Sequence, residues 1–366
     1  MIKRNTIRVS IIAIFTCCIG LAATAQEAVF AQYYASPMHL NPAMVGVFNG
    51  QYRLNANYRQ QWGSTFSDAP IRTFHAAFDY RTKVSRSDYF AFGLNAINDE
   101  TGSAARVKTT KGNLGIAFQK QLGGGRYRNQ SNYLSAGLQV GLGQNALNMN
   151  NLWFDRQYDS VAVAVNTSLA SGELTPQSNM YVDYNLGLLF YTVWENNRSF
   201  YVGGSLHHIT RPNVSFFGDA KETIRRRITF HGGGEIPINK ELSIMPSGII
   251  TLQGPAMWAM AGANFRYTNH DWNEAAVRVG ASFRLANKYI SALDKEGKSV
   301  QKSTGILGDA FTLTGVLEIN RLLIGASYDL HASSIKIPTN ARGAWELSLI
   351  YTGAEKRRVN TSCPHF

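Results

Sequence analysis

His231-Gly232-Gly233-Gly234 spells the loop whose backbone N–H groups hold an oxyanion in lipases and esterases. No G-x-S-x-G nucleophile elbow accompanies it in the 366 residues, and His231 falls at the end of an alternating strand, not in a strand-to-helix turn. Glycines that serve a turn, a bend or a close backbone approach explain the motif better. His207 and His208 are adjacent, so on a strand they face opposite sides and cannot chelate one ion. His75 shares a face with Thr73, Ala77 and Asp79, and a His/Asp pair is a conceivable base. A hydrogen-bonded lumen residue is far commoner, and no spacing places a serine nucleophile beside it. Cys363 is the one cysteine beyond the leader, which excludes an internal disulfide framework and any multi-cysteine metal site. No catalytic residue, cofactor site or metal site emerges from these groups.

The charged residues are more informative because of where their strands aim them. Arg53, Arg59, Asp79, Arg227, Asp329 and Glu346 all fall on polar faces of alternating segments. They can line an ion path, or form a mutually neutralising network that fills and rigidifies a barrel; the second reading is favoured. Those segments set Tyr52, Leu54, Ala56 and Tyr58 against Arg53, Asn55, Asn57 and Arg59. Likewise, Leu134, Ala136, Leu138, Val140 and Leu142 lie opposite Tyr133, Ser135, Gly137, Gln139 and Gly141. Near the C-terminus, Leu322, Ile324, Ala326, Tyr328 and Leu330 oppose Gly325, Ser327 and Asp329. A period of two over about ten residues is the signature of a transmembrane β-barrel strand.

A leader precedes them. Lys3, Arg4 and Arg8 form a basic region, Ile11 to Leu21 an apolar one, and Ala23-Thr24-Ala25 a cleavage site, which together describe a signal peptide over 1–25. Cys17 and Cys18 would leave with it. Beyond residue 25 no run reaches the ~18 consecutive apolar residues of a spanning helix, yet 45% of the chain is hydrophobic and only 16% charged. Alternation hides membrane character from any average. The net charge of +12 becomes +9 once the three leader cations are removed, and the remaining basic residues are mostly dispersed singly. That dispersion argues for a lumen or a lipid surface and against nucleic acid.

The periodicity predicts an all-β, antiparallel barrel of about 14 strands: 51–61, 71–82, 88–98, 107–120, 131–143, 180–194, 199–210, 224–236, 240–252, 256–269, 274–286, 309–319, 321–332 and 342–352. With the N-terminus in the periplasm, the inside connections are short (83–87, 121–130, 195–198, 237–239, 270–273 and Asn320-Arg321). The outside ones include the long loops 144–179 and 287–308, and both termini are expected in the periplasm. Tyr58, Trp62, Phe90, Tyr184, Trp194, Tyr267, Trp345 and Tyr351 fall near strand ends, where interfacial girdles sit. The expected organisation is signal peptide 1–25, a periplasmic lead-in or plug 26–50, an outer-membrane barrel 51–352 and a basic periplasmic tail 353–366. A lumen of this strand number is wider than wall side chains readily fill, and the aromatic, Asn- and Pro-rich lead-in is the candidate plug. The tail carries Lys356, Arg357 and Arg358 and an apolar aromatic end, suited to an acidic or pocketed partner surface.

Phe30-Ala31-Gln32-Tyr33 with Asn41-Pro42-Ala43 and Gly46, then Asn57-Tyr58-Arg59 with Gln61-Trp62, resembles the opening of the PorP/SprF family of type IX secretion system membrane proteins. The resemblance continues at Phe154-Asp155, His208-Ile209-Thr210-Arg211-Pro212, Pro246-Ser247, Gly325-Ala326-Ser327-Tyr328-Asp329 and Glu346-Leu347-Ser348. It ends at Cys363-Pro364-His365-Phe366, where His365 replaces the usual Lys or Arg. The resemblance implies a Bacteroidetes outer-membrane barrel without catalytic activity, part of the type IX export and gliding machinery. The partners it implies are periplasmic lipoprotein or peptidoglycan-binding components and a secreted adhesin with a C-terminal sorting domain, besides outer-membrane lipid. Gln32, Tyr33, Asn41, Pro42, Arg59, Trp62, Tyr328, Asp329, Lys356, Arg357, Arg358, Cys363, Pro364 and Phe366 become the partner-binding or plug candidates. The alternative is a solute channel, a porin-like or FadL-like barrel.

Overall fold

The computed structural model describes residues 27–63, 70–85, 87–102, 106–125, 128–148, 155–159, 164–166, 168–169, 177–194, 198–216, 222–269, 275–293, 299–332, 342–353 and 363–364. The strands are β1 Tyr52–Gln61, β2 Ile71–Lys83, β3 Tyr89–Thr101, β4 Arg106–Gly125, β5 Arg128–Asn148, β6 Tyr158–Asp159, β7 Ala164–Val165, β8 Tyr181–Trp194, β9 Ser199–His207, β10 Arg227–Pro237, β11 Leu242–Gln253, β12 Ala256–Tyr267, β13 Ala275–Leu293, β14 Ser299–Ile319, β15 Leu322–His331 and β16 Arg342–Thr352. All but β6 and β7 form one closed antiparallel barrel of fourteen strands, with β1 sealing onto β16. The β6–β7 pair is a separate hairpin between β5 and β8.

Side-chain burial is inverted relative to a soluble protein. Outward Leu114 is 63% exposed and Leu188 and Phe230 are each 58% exposed, while inward Asp79 and His75 are 0% exposed. Water would not tolerate the first set as a continuous wall, whereas lipid requires it. Aromatics gather at both rims of that wall. Tyr58 packs on Trp345 at 5.2 Å, and Trp345 pairs in register with Tyr328, toward one end. Tyr52 meets Tyr351 at 6.2 Å, and Tyr80 meets Phe92 at 5.3 Å, toward the other.

Strand extents differ from expectation where alternating residues pair with one another beyond the predicted ends. The stretch 287–308 is mostly ladder, because β13 and β14 stay paired up to Leu293 opposite Ser299. β4 and β5 also run on toward 126–127, ending with Gly125 opposite Arg128 after two register shifts, so 121–130 is not an irregular connection. Conversely β9 stops at His207. His208 takes φ 58°, and its N–H donates to Asn185 Oδ1 at 3.0 Å, which turns the chain out of the strand. His207 and His208 therefore do not face opposite sides; both rings are buried on the lumen side.

Residues 27–50 lie inside the barrel. The 3-10 turn Tyr33–Ala35, the helical turn Pro37–Leu40 and the 3-10 turn Pro42–Met44 make a compact chain. Asn41 starts the last turn by accepting the Ala43 N–H at 2.9 Å. Tyr33, Leu40, Ala43, Met44 and Val47 form one buried cluster with wall residues Tyr89, Tyr133, Leu189, Tyr191 and Tyr201. The segment enters β1 at the end of the barrel that carries 84–88, 238–241 and 320–321, called here the short-turn end. Glu27 lies at the opposite, long-loop end, beside Lys111, His208 and Arg227. The expectation that the start of the mature chain lies on the short-turn side with the C-terminus does not hold for Glu27. Some twenty residues of compact chain cross the lumen from one end to the other.

Candidate functional site

The filled lumen brings the sequence candidates together, and three layers of contacts hold it. At the long-loop end, Glu27 meets Arg227 at 2.8 Å, His208 Nε2 at 2.9 Å and also Lys111; His208 Nδ1 faces Asp183 at 2.7 Å. Burial alone would raise the Glu27 pKa, but His208, Lys111 and Arg227 hold it well below the usual glutamate range. Burial likewise opposes a charge on His208, yet Glu27 and Asp183 raise its pKa above the ordinary imidazole value. His39 moves the other way. Burial, with Arg227 and His75 nearby, keeps it well below that value, so it is a neutral ring bonded to Ala28 O at 3.3 Å. A cavity of about 440 Å³ surrounds this layer, lined by Asp99, Lys111, Tyr181, Asp183 and His208 among others.

The middle layer belongs to Asn41 and Gln32. Asn41 Nδ2 lies within reach of three wall acceptors: Leu188 O at 3.0 Å, Gly204 O at 3.3 Å and His231 Nε2 at 3.0 Å. His231 sits within β10, not at its end, and its Nε2 is occupied by the plug. Gln32 Nε2 donates to Ser327 Oγ at 3.3 Å and to Glu346 O at 3.4 Å, and its Oε1 accepts from Ser348 Oγ at 2.7 Å. Glu346 in turn accepts the N–H groups of Ala31 at 2.7 Å and Gln32 at 3.0 Å. Arg59 joins Glu346 at 3.3 Å to Asp329 at 2.7 Å, and Thr312 Oγ1 donates to Asp329 at 2.7 Å. Tyr33 is buried against Ser247, and burial pushes its pKa up to about 12.

Wall glycines make room for these contacts. A Cβ on Gly187 would collide with Asn41 Oδ1, one on Gly137 with the Pro42 backbone, and one on Gly325 with Gln32 Oε1. A Cβ on Gly93 would come within 2.8 Å of Met38 Sδ. Glycines at these four inward positions allow the close approach that any larger residue would block.

The third layer closes the short-turn end. Asp79 pairs with Arg53 at 2.7 Å and accepts the Gly46 N–H at 2.8 Å; Arg53 also donates to Met44 O at 3.1 Å and Val47 O at 3.3 Å. With Asp79 so occupied, His75 has no carboxylate partner. Neither of its ring nitrogens is hydrogen-bonded, and the ring packs on Phe30 and His39. The His75/Asp79 base conceived from the strand pattern is therefore not assembled. Arg81 donates to Gly50 O at 2.7 Å and to Cys363 Sγ at 3.0 Å. Pro364 is buried beside it in sequence.

Two candidates stand apart. Trp62, at φ 59°, leaves the end of β1 and donates its indole N–H to His331 Nε2 at 2.8 Å. Tyr328 faces outward and is 41% exposed, so it belongs to the aromatic rim and not to the lumen. Lys356, Arg357, Arg358 and Phe366 lie outside the described residues. Sequence reasoning did not single out Glu27, His39, Lys111 or His208 as a cluster, since no local spacing links residues brought together only by barrel closure. Among the described residues no group of three His, Cys, Asp or Glu side chains is placed to hold a metal ion.

Comparison with known proteins places the whole barrel. Among curated proteins, none matches the chain in sequence. Similar solved structures include the CymD monoaromatic hydrocarbon channel, at 11% identity and TM-score 0.45, covering 93% of this chain and 97% of that one. CdiB from Escherichia coli aligns at 8% identity and TM-score 0.44 over 81% of this chain, which spans 63% of CdiB. The COG4313 outer membrane channel from Pseudomonas putida F1 aligns at 10% identity and TM-score 0.39, covering 89% and 99% of the two chains. The family model described as "Type IX secretion system membrane protein PorP/SprF" matches residues 22–351, nearly the entire chain. This plugged, fourteen-stranded outer-membrane barrel belongs to the PorP/SprF family of type IX secretion system membrane proteins.

Proposed function

We propose that the protein is a closed, non-enzymatic docking barrel of the type IX secretion and gliding machinery. In this reading it docks periplasmic lipoprotein or peptidoglycan-binding components, and anchors or assists export of a surface adhesin bearing a C-terminal sorting domain. The short-turn end faces the periplasm, as short turns do in outer-membrane barrels. The observation that carries the reading is the fit of the lumen: Gln32, Asn41, Arg53 and Glu346 bond plug to wall while wall glycines accommodate it. A barrel wall satisfies its own backbone without any plug, so a lumen built around one serves something other than closing the sheet. Of the two histidines that resembled catalytic devices, His231 is engaged by Asn41 and the ring nitrogens of His75 carry no hydrogen bond.

The second reading, a solute channel, is favoured by the 440 Å³ cavity at the long-loop end. Affinity purification of the tagged protein from its native envelope separates the two. Docking predicts co-purifying secretion components or an adhesin, and loss of secretion or surface display when the gene is deleted. Recovery of the barrel alone, with secretion intact in the deletion strain, would remove the docking reading.

A further inference from the structure

The exit of the lumen segment and the described part of the C-terminal tail meet at the short-turn mouth. Asn49, the last plug residue but one, accepts the Cys363 N–H on Oδ1 at 2.5 Å and donates from Nδ2 to Cys363 O at 3.2 Å. This reciprocal pair reads backbone, as one strand edge reads another. Arg81 then links three pieces: wall strand β2, the plug exit through Gly50 O, and the tail through Cys363 Sγ. Its guanidinium also lies 5.5 Å from the Phe48 ring centroid and 4.7 Å from that of Tyr89, which fixes its plane. Cys363 is 3% exposed although only three residues follow it in the sequence.

We propose that the Cys-Pro ending is an internal strap, which binds the plug exit of its own barrel and holds the short-turn mouth shut. The inference rests on the closed-barrel reading and adds its regulation. A tail seated on Asn49 and Arg81 is not a free ligand for another protein. A partner that takes up Cys363 and Pro364 must first lift them from the plug exit, so tail capture and loosening of the plug's lower half are one event. The residues that loosening would release run from Gly46 to Gly50, which otherwise rest on Asp79 and Arg81.

Because Cys363 is the sole cysteine after the leader, its thiol reports the strap directly. Mature protein in detergent is compared as wild type, Asn49→Ala and a chain ending at 358, with the heat-dependent shift in SDS mobility as the folding control. Wild-type Cys363 should react slowly with an aromatic disulfide reagent, and in Asn49→Ala at least roughly tenfold faster, the change expected when about two hydrogen bonds are lost. The truncated barrel should show current openings in a planar bilayer that wild type lacks. Asn49→Asp, which keeps the acceptor and loses the donor, should fall between. Cys363 reacting in folded wild type as fast as in urea overturns the strap, as does a truncated barrel as closed as wild type. Steady current through wild type itself would instead overturn the closed-barrel reading on which the strap rests.

Discussion

Replacing Asn41 by alanine removes the most connected side chain of the plug while leaving the wall intact. Its amide donates to acceptors from β8, β9 and β10, and its oxygen organises the turn at Ala43. An amide NH2 carries two protons, so about two net donor bonds are lost at about 1 kcal/mol each, with a further fraction for the buried His231 Nε2 left without its donor. The sum is about 2–3 kcal/mol, which raises the ratio of unseated to seated plug by roughly 30- to 150-fold. Two assays read it: frequency of openings in a planar bilayer, and the rate at which a protease added to the detergent-solubilised barrel cuts within 30–48. Asn98→Ala serves as control, since Asn98 bonds only across an exposed strand pair to Thr110. If Asn41→Ala folds, stays as closed as the control and is cut no faster, the bonds do not hold the plug and the reasoning fails.

Arg59→Ala should cost about 3–5 kcal/mol, because it leaves Glu346 and Asp329 buried without their shared cation. The heat-modifiable SDS transition should shift downward accordingly, and an unchanged transition would refute the estimate. The seating of residues 27–30 should be strongest in mildly acidic solution. The depressed pKa of Glu27 makes its contribution disappear as pH falls below the usual glutamate range, and the raised pKa of His208 makes its contribution disappear as pH rises through neutrality and beyond. Hydrogen-exchange protection at Ala28 to Phe30, taken relative to the intrinsic rate at each pH, should therefore be greatest between those limits; a monotonic protection profile would contradict the cluster. In a Cys363→Ser background, a cysteine at Ser168 should label with an impermeant maleimide on intact cells, and one at Asn320 only after permeabilisation. The reverse pattern would invert the barrel.

Strand number was legible because lipid imposes a period of two on every wall segment, and fourteen alternating stretches became fourteen barrel strands. Strand ends were less legible. Pairing, not hydrophobicity, decides where a ladder stops: β13 and β14 continue to Leu293 and Ser299, while His208 leaves its strand through a positive φ. Arg53, Arg59, Asp79, Asp329 and Glu346 could be assigned to the lumen from parity alone. Their partners could not, since Arg53 reaches Met44 and Glu346 reaches Ala31 across a space that sequence does not measure. Glu27 was invisible for the same reason, because its three cations are supplied by two distant strands and a loop.

In the proposed reading the chain's own residues 30–48 close the lumen. The conductance of purified mature protein in a planar bilayer, compared with a variant lacking 30–48, tests it most directly. No steady current should pass through wild type, and the deletion variant should form a persistent open pore, with both retaining heat-modifiable mobility. A wild-type barrel that conducts steadily at the level of the deletion variant would contradict that reading.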